Sequence, residues 1–222
     1  SLKLGRWPWR RDYLALLTEK VFELGALNVG FDVFFPESQA DETRADALFR
    51  EVLKKHPGQV TLAWFQDEEG KGHPNIPIFS QNVSSEGFVN QEKNSLGFYR
   101  QTNYFLGADE PSLALALIAQ RLKVEPSVIL KKKVSPINFL GPSGTFSTYS
   151  ALEVLRSEKV ETNSNLILKG KTVLIGVTAT GAGDIHPTPF DQRMPGVEIQ
   201  ATIAEQILLR NIPIEKGTAT LI

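Results

Sequence analysis

The chain has 222 residues, 41% of them hydrophobic, with 24 basic against 25 acidic side chains and no cysteine. A net charge near zero leaves no electrostatic footprint for nucleic acid or an anionic membrane surface. The missing cysteine excludes disulfides, thiolate zinc sites and thiol catalysis.

This length supports one substantial core or two small ones. No apolar run approaches the ~20 residues of a membrane helix. The opening SLKLGRWPWRRD is basic and short of apolar residues, unlike a signal peptide. A membrane-bound parent would therefore contain this chain as a soluble piece.

Trp7-Pro8-Trp9 leads into a helix predicted over 12–24, with Tyr13, Leu14, Leu17, Val21 and Leu24 at helical spacing and Gly25 as its stop. The burial preference of large aromatics has the two tryptophans sealing the bottom of the core, with membrane or partner contact as the alternative. Residues 28–37, NVGFDVFFPE, read as a buried strand in which Asp32 is the odd member. A buried carboxylate must be paired or hydrogen-bonded. Asp32 is therefore expected to cap loop N–H groups or to face a ligand, with capping the more common role of such a group.

An amphipathic helix follows over 41–55, with Asp41 as its cap and Pro57-Gly58 as its end, and then a strand over 60–65. Strand and helix alternating in this way argue for a largely parallel sheet. Residues 66–86 are polar and turn-rich and are expected to form an exposed flap. Shorter strands are expected at 87–90 and 97–105. Arg100, in the second, either holds an anion or forms a surface ion pair of little energetic weight. PSLALALIAQRL (111–122) is an apolar helix expected to lie flat on the sheet. A short strand at 137–142 and a helix near 148–156 come next. The basic cluster Lys131–Lys133 reads as a solvated turn.

The stretch 171–211 organises the rest. Thr172–Ile175 is a short apolar run suited to a buried parallel strand. It opens into a loop holding Gly181, Gly183, Asp184, His186, Pro187 and Pro189, and a helix over 197–209 starts behind Met194-Pro195-Gly196. That helix is apolar on two faces, so it is sandwiched inside the domain or faces a second subunit.

Three chemistries fit the chain poorly. Gly181-Ala182-Gly183 lacks the third glycine of a dinucleotide fingerprint and the Lys-Ser/Thr of a phosphate loop. Gly141-Pro142-Ser143-Gly144 lacks the spacing of a serine nucleophile elbow. Asp184-x-His186 offers two metal ligands with Asp191 or Glu37 as a distant third, but a hydrogen-bonded loop explains it as well. His56 and His73 lie elsewhere, without evident companions.

The segments WPWRRDYLALL, GFDVFF, GFYR, INFLGPSGTF and VLIGVTATGAGDIHPTPF…MPGVEIQA, in this order, resemble the second class of CHASE domain (cyclases/histidine kinases associated sensory extracellular) over nearly the whole chain. The resemblance implies one extracytoplasmic sensor domain spanning 1–222, the input of a bacterial histidine kinase, nucleotide cyclase or serine/threonine kinase. It implies no catalysis and no cofactor. The implied partners are a small-molecule or protein signal, flanking transmembrane helices in the parent and, optionally, a second copy of the chain.

The expected fold is α/β, a layered sandwich with a mostly parallel or mixed central sheet and helices on both faces. Strand ends and adjoining loops, where open α/β sheets bind ligands, place a ligand among Asp32, Glu37, Arg100, Gly183, Asp184 and His186. The competing reading is a soluble α/β enzyme with its site in the 181–191 loop.

Overall fold

The computed structural model describes residues 5, 7–38, 43–157, 168–178 and 184–210. The first elements are α1 (Arg11–Glu23), β1 (Asn28–Phe31), α2 (Thr43–Lys55), β2 (Val60–Gln66), β3 (Gly72–His73), α3 (Pro77–Ser80) and β4 (Ser85–Phe88). Next come β5 (Gln101–Asn103), β6 (Phe105–Leu106), β7 (Glu110–Pro111), α4 (Leu113–Leu122), α5 (Pro126–Ile129) and β8 (Val134–Pro136). The chain ends in α6 (Ala151–Arg156), β9 (Thr172–Ile175), β10 (Ile185–His186), β11 (Met194–Pro195) and α7 (Gly196–Leu208).

Strands β4, β2, β1 and β9 lie parallel in that spatial order, and β3 pairs antiparallel with the end of β2. This is the expected α/β sandwich with a mixed central sheet and helices on both faces. Alternation along the strands decides what each face carries. Val29, Phe31, Val60, Leu62, Val173 and Ile175 turn to one face and meet Leu14, Leu17 and Val21 of α1, Phe49 and Leu53 of α2, and Phe79 of α3. Phe31, Phe35, Phe49 and Phe79 meet edge to face there, with ring centroids between 5.2 and 6.1 Å apart. Each such pair contributes about 0.5–1.5 kcal/mol beyond its burial.

The other face is lined by small residues. Gly30, Thr61, Ala63 and Gly87 share it through the strand register. A Cβ on Gly87 would come within 2.6 Å of the Leu113 nitrogen, and one on Gly30 within 2.8 Å of Leu117 Cδ2. Helix α4 therefore lies close on the sheet, with Leu113 to Ala119 all buried. Its outer side meets α7, in a second core of Leu115, Ile118, Ile199, Ile203, Ile207 and Tyr104. Ten of the thirteen α7 residues are buried, so the helix is sandwiched within the domain.

The structure departs from the sequence reading in four places. Strand β1 stops at Phe31; beyond it the Phe35 N–H donates to the Asn75 side chain (2.7 Å) and the Phe35 carbonyl accepts from Ile76 (2.8 Å), a loop-to-loop pairing. The segment 66–86 is pinned rather than free, because it contains β3 and α3 and fully buries Phe79, leaving 68–72 as its exposed tip. The strand expected at 137–142 is replaced by β8 at 134–136. The Asn138 N–H, which a strand would pair with backbone, donates instead to Gln206 Oε1 (2.8 Å). The 97–105 run is broken at Gly97, whose φ of +82° closes a turn back to Asn94, and again between β5 and β6. Asp41, expected as the cap of the second helix, lies outside the described residues.

Candidate functional site

Connectivity selects one end of the sheet. From β1 the chain passes through α2 to β2 and on to β4. It then crosses by α4 on the opposite face and ends, in β9, on the far side of β1. Strand order reverses between β1 and β9, and a crevice outside the carboxyl ends of strands at such a switch point is where open α/β sheets bind ligands. Asp32 follows β1, Val177 follows β9, and Val89 to Gln91 follow β4. All of them line one cavity of about 530 Å³, within the range of small-molecule sites.

The loop after β9 supplies the opposite wall. Strands β10 and β11 form a hairpin, with Ile185 opposite Pro195 and His186 opposite Met194. Its turn is closed by Thr188 and Asp191: the Thr188 N–H donates to the Asp191 carbonyl (2.7 Å) and the Asp191 N–H to Thr188 Oγ1 (3.1 Å). Pro187 and Pro189 flank Thr188, and their fixed φ stiffens the bend. The hairpin presents Asp184 and His186 to the cavity, with His186 Nε2 2.8 Å from Asp184 Oδ1. Tyr99 meets the His186 ring edge-on at 4.6 Å, and its N–H donates to the Pro187 carbonyl (3.0 Å).

Helix α7 begins directly behind this hairpin. A Cβ on Gly196 would land on the Asp184 carboxylate, so glycine is required for that carboxylate to sit against the positive end of the helix. Gly176 serves the same junction, since its Cβ would strike Val197 Cβ at 2.6 Å. The first turns of α7 then bring Ile199 and Gln200 to the cavity, and the start of α1 brings Trp7, Pro8 and Arg11. The Arg11 guanidinium lies 3.8 Å from Asp46 and over the Phe35 ring at 4.5 Å, so its charge is answered inside the fold.

Several polar atoms of this cavity are buried without a hydrogen-bond partner among the described residues: Asp32 Oδ2, both amide atoms of Gln91, and Gln200 Oε1. Buried amides elsewhere are satisfied. Asn28 donates to the Leu117 carbonyl (2.9 Å) and accepts from Thr172 (2.8 Å). Asn75 accepts from Phe35 and donates to the Ala63 carbonyl (2.9 Å) and Glu86 (2.7 Å). An orphaned buried polar group costs about 1–3 kcal/mol, so a cluster of them in one cavity calls for a reason. Burial, and secondarily the Asp184 charge, push the Asp32 carboxyl up to about 7. Burial followed by the same charge raises Tyr99.

A family model, the CHASE2 domain, matches residues 1–222, the whole chain. The chain belongs to the CHASE2 family. No curated protein and no solved structure matches it. CHASE2 domains are sensory and extracellular and occur in receptors rather than as catalysts, which supports a sensor role and an extracytoplasmic place for this chain. No helix among the described residues is long and apolar enough to cross a membrane.

Within this CHASE2 domain, Asp32, Asp184 and His186 come together as the sequence suggested. Among the described residues Asp32 Oδ2 accepts no hydrogen bond, while the Asp32 backbone N–H donates to the Ile175 carbonyl (2.8 Å). Glu37 is exposed and does not line the cavity. Arg100 is exposed, 6.0 Å over the Phe98 ring, and also stands outside it. Gly181 and Gly183 lie outside the described residues. Asp191 turns to the neighbouring loop, where hydrogen bonds from Ser143, and then from the Arg193 backbone, hold its carboxyl below the ordinary value. No group of three His, Asp or Glu converges to hold a metal among the described residues.

His56 and His73 do have companions. Glu19 lies 3.4 Å from His56 and Asp67 2.7 Å from His73, while the rings stack on Phe22 and Phe65. These are structural pairs away from the cavity. The sequence reading missed Trp7, Arg11, Gln91, Tyr99 and Gln200 as cavity residues. Only Gln200 carried a signal, an amide within a helix otherwise apolar on that side.

Proposed function

We propose that this chain is the input domain of a bacterial membrane receptor. It binds a small polar molecule in the cavity between β1, β9 and α7. Binding is passed through flanking transmembrane helices to a cytoplasmic kinase or nucleotide cyclase. The carrying observation is the convergence of partnerless buried atoms of Asp32, Gln91 and Gln200 on one cavity at the switch point of the sheet.

Transmission is supported by what bounds that cavity. Trp7, Pro8 and Arg11 come from the first described helix and its approach, and Gly196, Ile199 and Gln200 from the last. A ligand bridging them couples occupancy to the spacing of the two ends of the domain, and only a ligand with different affinity for the two spacings shifts that equilibrium.

In the parent receptor, Asp184→Ala is expected to abolish ligand-dependent output while changing the stability of the domain by no more than about 1 kcal/mol. Unchanged output at normal stability overturns the site. Apolar stretches of ~20 residues are expected on both sides of the chain in the parent gene.

A further inference from the structure

We infer that the ligand of this cavity is a small organic cation, a protonated amine carried on an apolar or aromatic body. This rests on the cavity being the sensor's ligand site. The positive end of α7 would ordinarily invite an anion, but the Asp184 carboxylate already sits there, against Gly196. The Arg11 charge is answered by Asp46. What remains facing the cavity is Asp32, Asp184 with its His186 partner, and Tyr99.

Among the partnerless atoms of this wall, acceptors outnumber donors. Asp32 Oδ2 and Gln200 Oε1 are buried acceptors without donors, and Gln200 is only 3% exposed. Gln91 adds an acceptor and a donor, which leaves room for one acceptor on the ligand. An ammonium group supplies three donors and the missing positive charge at once. It also removes the need for Asp32 to hold a proton against the neighbouring carboxylate. The remaining wall, with Trp7, Phe34, Val177 and Ile199, suits an apolar body, and its aromatic faces attract cations. A bare metal ion is a poor occupant, because three carboxylate or imidazole ligands do not converge among the described residues.

The test is calorimetric titration of the chain at mildly alkaline pH with four probes: phenethylammonium, 2-phenylethanol, phenylacetate and calcium chloride. Phenethylammonium is expected to bind at least about tenfold more tightly than the alcohol or the carboxylate, and Asp32→Asn to weaken it by at least about tenfold. Gln200→Leu is expected to weaken it as well, with both variants melting no lower than the wild type. Equal or tighter binding of the neutral or anionic probe overturns the organic cation, as does ammonium binding indifferent to Asp32→Asn, a response to calcium alone, or no binding by any probe. The ligand-site reading is judged separately, by the Asp184→Ala receptor output, so the two failures are distinguishable.

Discussion

Asp32, at the end of β1, and Asp184, at the foot of the β10–β11 hairpin, share one cavity, and Asp32 titrates near 7 because burial and then the Asp184 charge disfavour its anion. Two carboxylates from distant parts of the chain are thus held together. Ionising Asp32 beside Asp184 therefore carries a cost.

That cost makes stability depend on pH. The folded value of Asp32 lies above the ordinary 3.8, so the folded state binds this proton more tightly than the unfolded chain does. The stability it contributes is fully present below pH ~4 and is lost as pH rises to about 7, up to about 4 kcal/mol in all. Asp32→Asn removes this component. Urea unfolding from mildly acid to mildly alkaline pH is expected to show the wild type falling relative to the variant. Parallel pH profiles reject Asp32 as the titrating group.

Gln200→Leu replaces an orphaned buried amide by an apolar side chain of similar size. It is expected to raise unfolding stability by about 1 kcal/mol while reducing receptor response. A stability loss instead would mean that the amide is partnered in solution.

Gly87→Ala is expected to be severe, a loss of about 3 kcal/mol. Its Cβ would meet backbone atoms of Ser112 and Leu113, which cannot swing aside as a side chain can. Helix α4 would have to lift from the sheet. A melting temperature within error of the wild type contradicts this account of the close approach.

Glu198 is the buried carboxylate of α7, and its Oε2 accepts from the Gly144 N–H at 2.8 Å. Glu198→Ala is expected to cost about 1–2 kcal/mol and to release the 141–145 loop. Hydrogen exchange at the Gly144 amide should quicken by more than at Leu115 in α4. Equal change at both sites indicates a global effect, not loss of a clamp.

Much of the fold was legible because it is written locally. The runs at 60–65 and 172–175 are short and apolar, each follows a glycine turn, and both lie in parallel strands. Gly25 stops α1 with φ +89°, and Ser112 caps α4, its side chain accepting from Leu115. Legibility failed where side chains, not periodicity, decide the backbone. Residues 137–142 look like a strand, yet Gln206 takes the Asn138 N–H. The polar stretch 66–86 looks exposed, yet Phe79 and Asn75 anchor it.

The candidate site divides along the same line. Asp32 and the Asp184-x-His186 pair stood out because charge in an apolar strand and ligand-type residues in a strand-to-helix loop are unusual wherever they point. Arg100 was equally conspicuous and stands outside the cavity, since it falls just before β5 and the sequence around it does not say which way it turns. Gln91 and Gln200 were inconspicuous, because an amide reads the same whether its hydrogen bonds are made or missing.

By itself the sequence determined the layered α/β plan, the order of its strands and helices in the chain, and the CHASE2 family. Those follow from periodicity, caps and the succession of motifs, all properties of neighbouring residues. Only the tertiary structure decided that β9 returns beside β1, and so that Asp32, Gln91, Asp184 and Gln200 meet in one cavity with partners missing. Convergence of that kind depends on long-range strand order and on how closely α4 and α7 approach the sheet. Small residues at Gly30, Gly87, Gly176 and Gly196 permit that approach, and only the packed chain shows what each of them lies against.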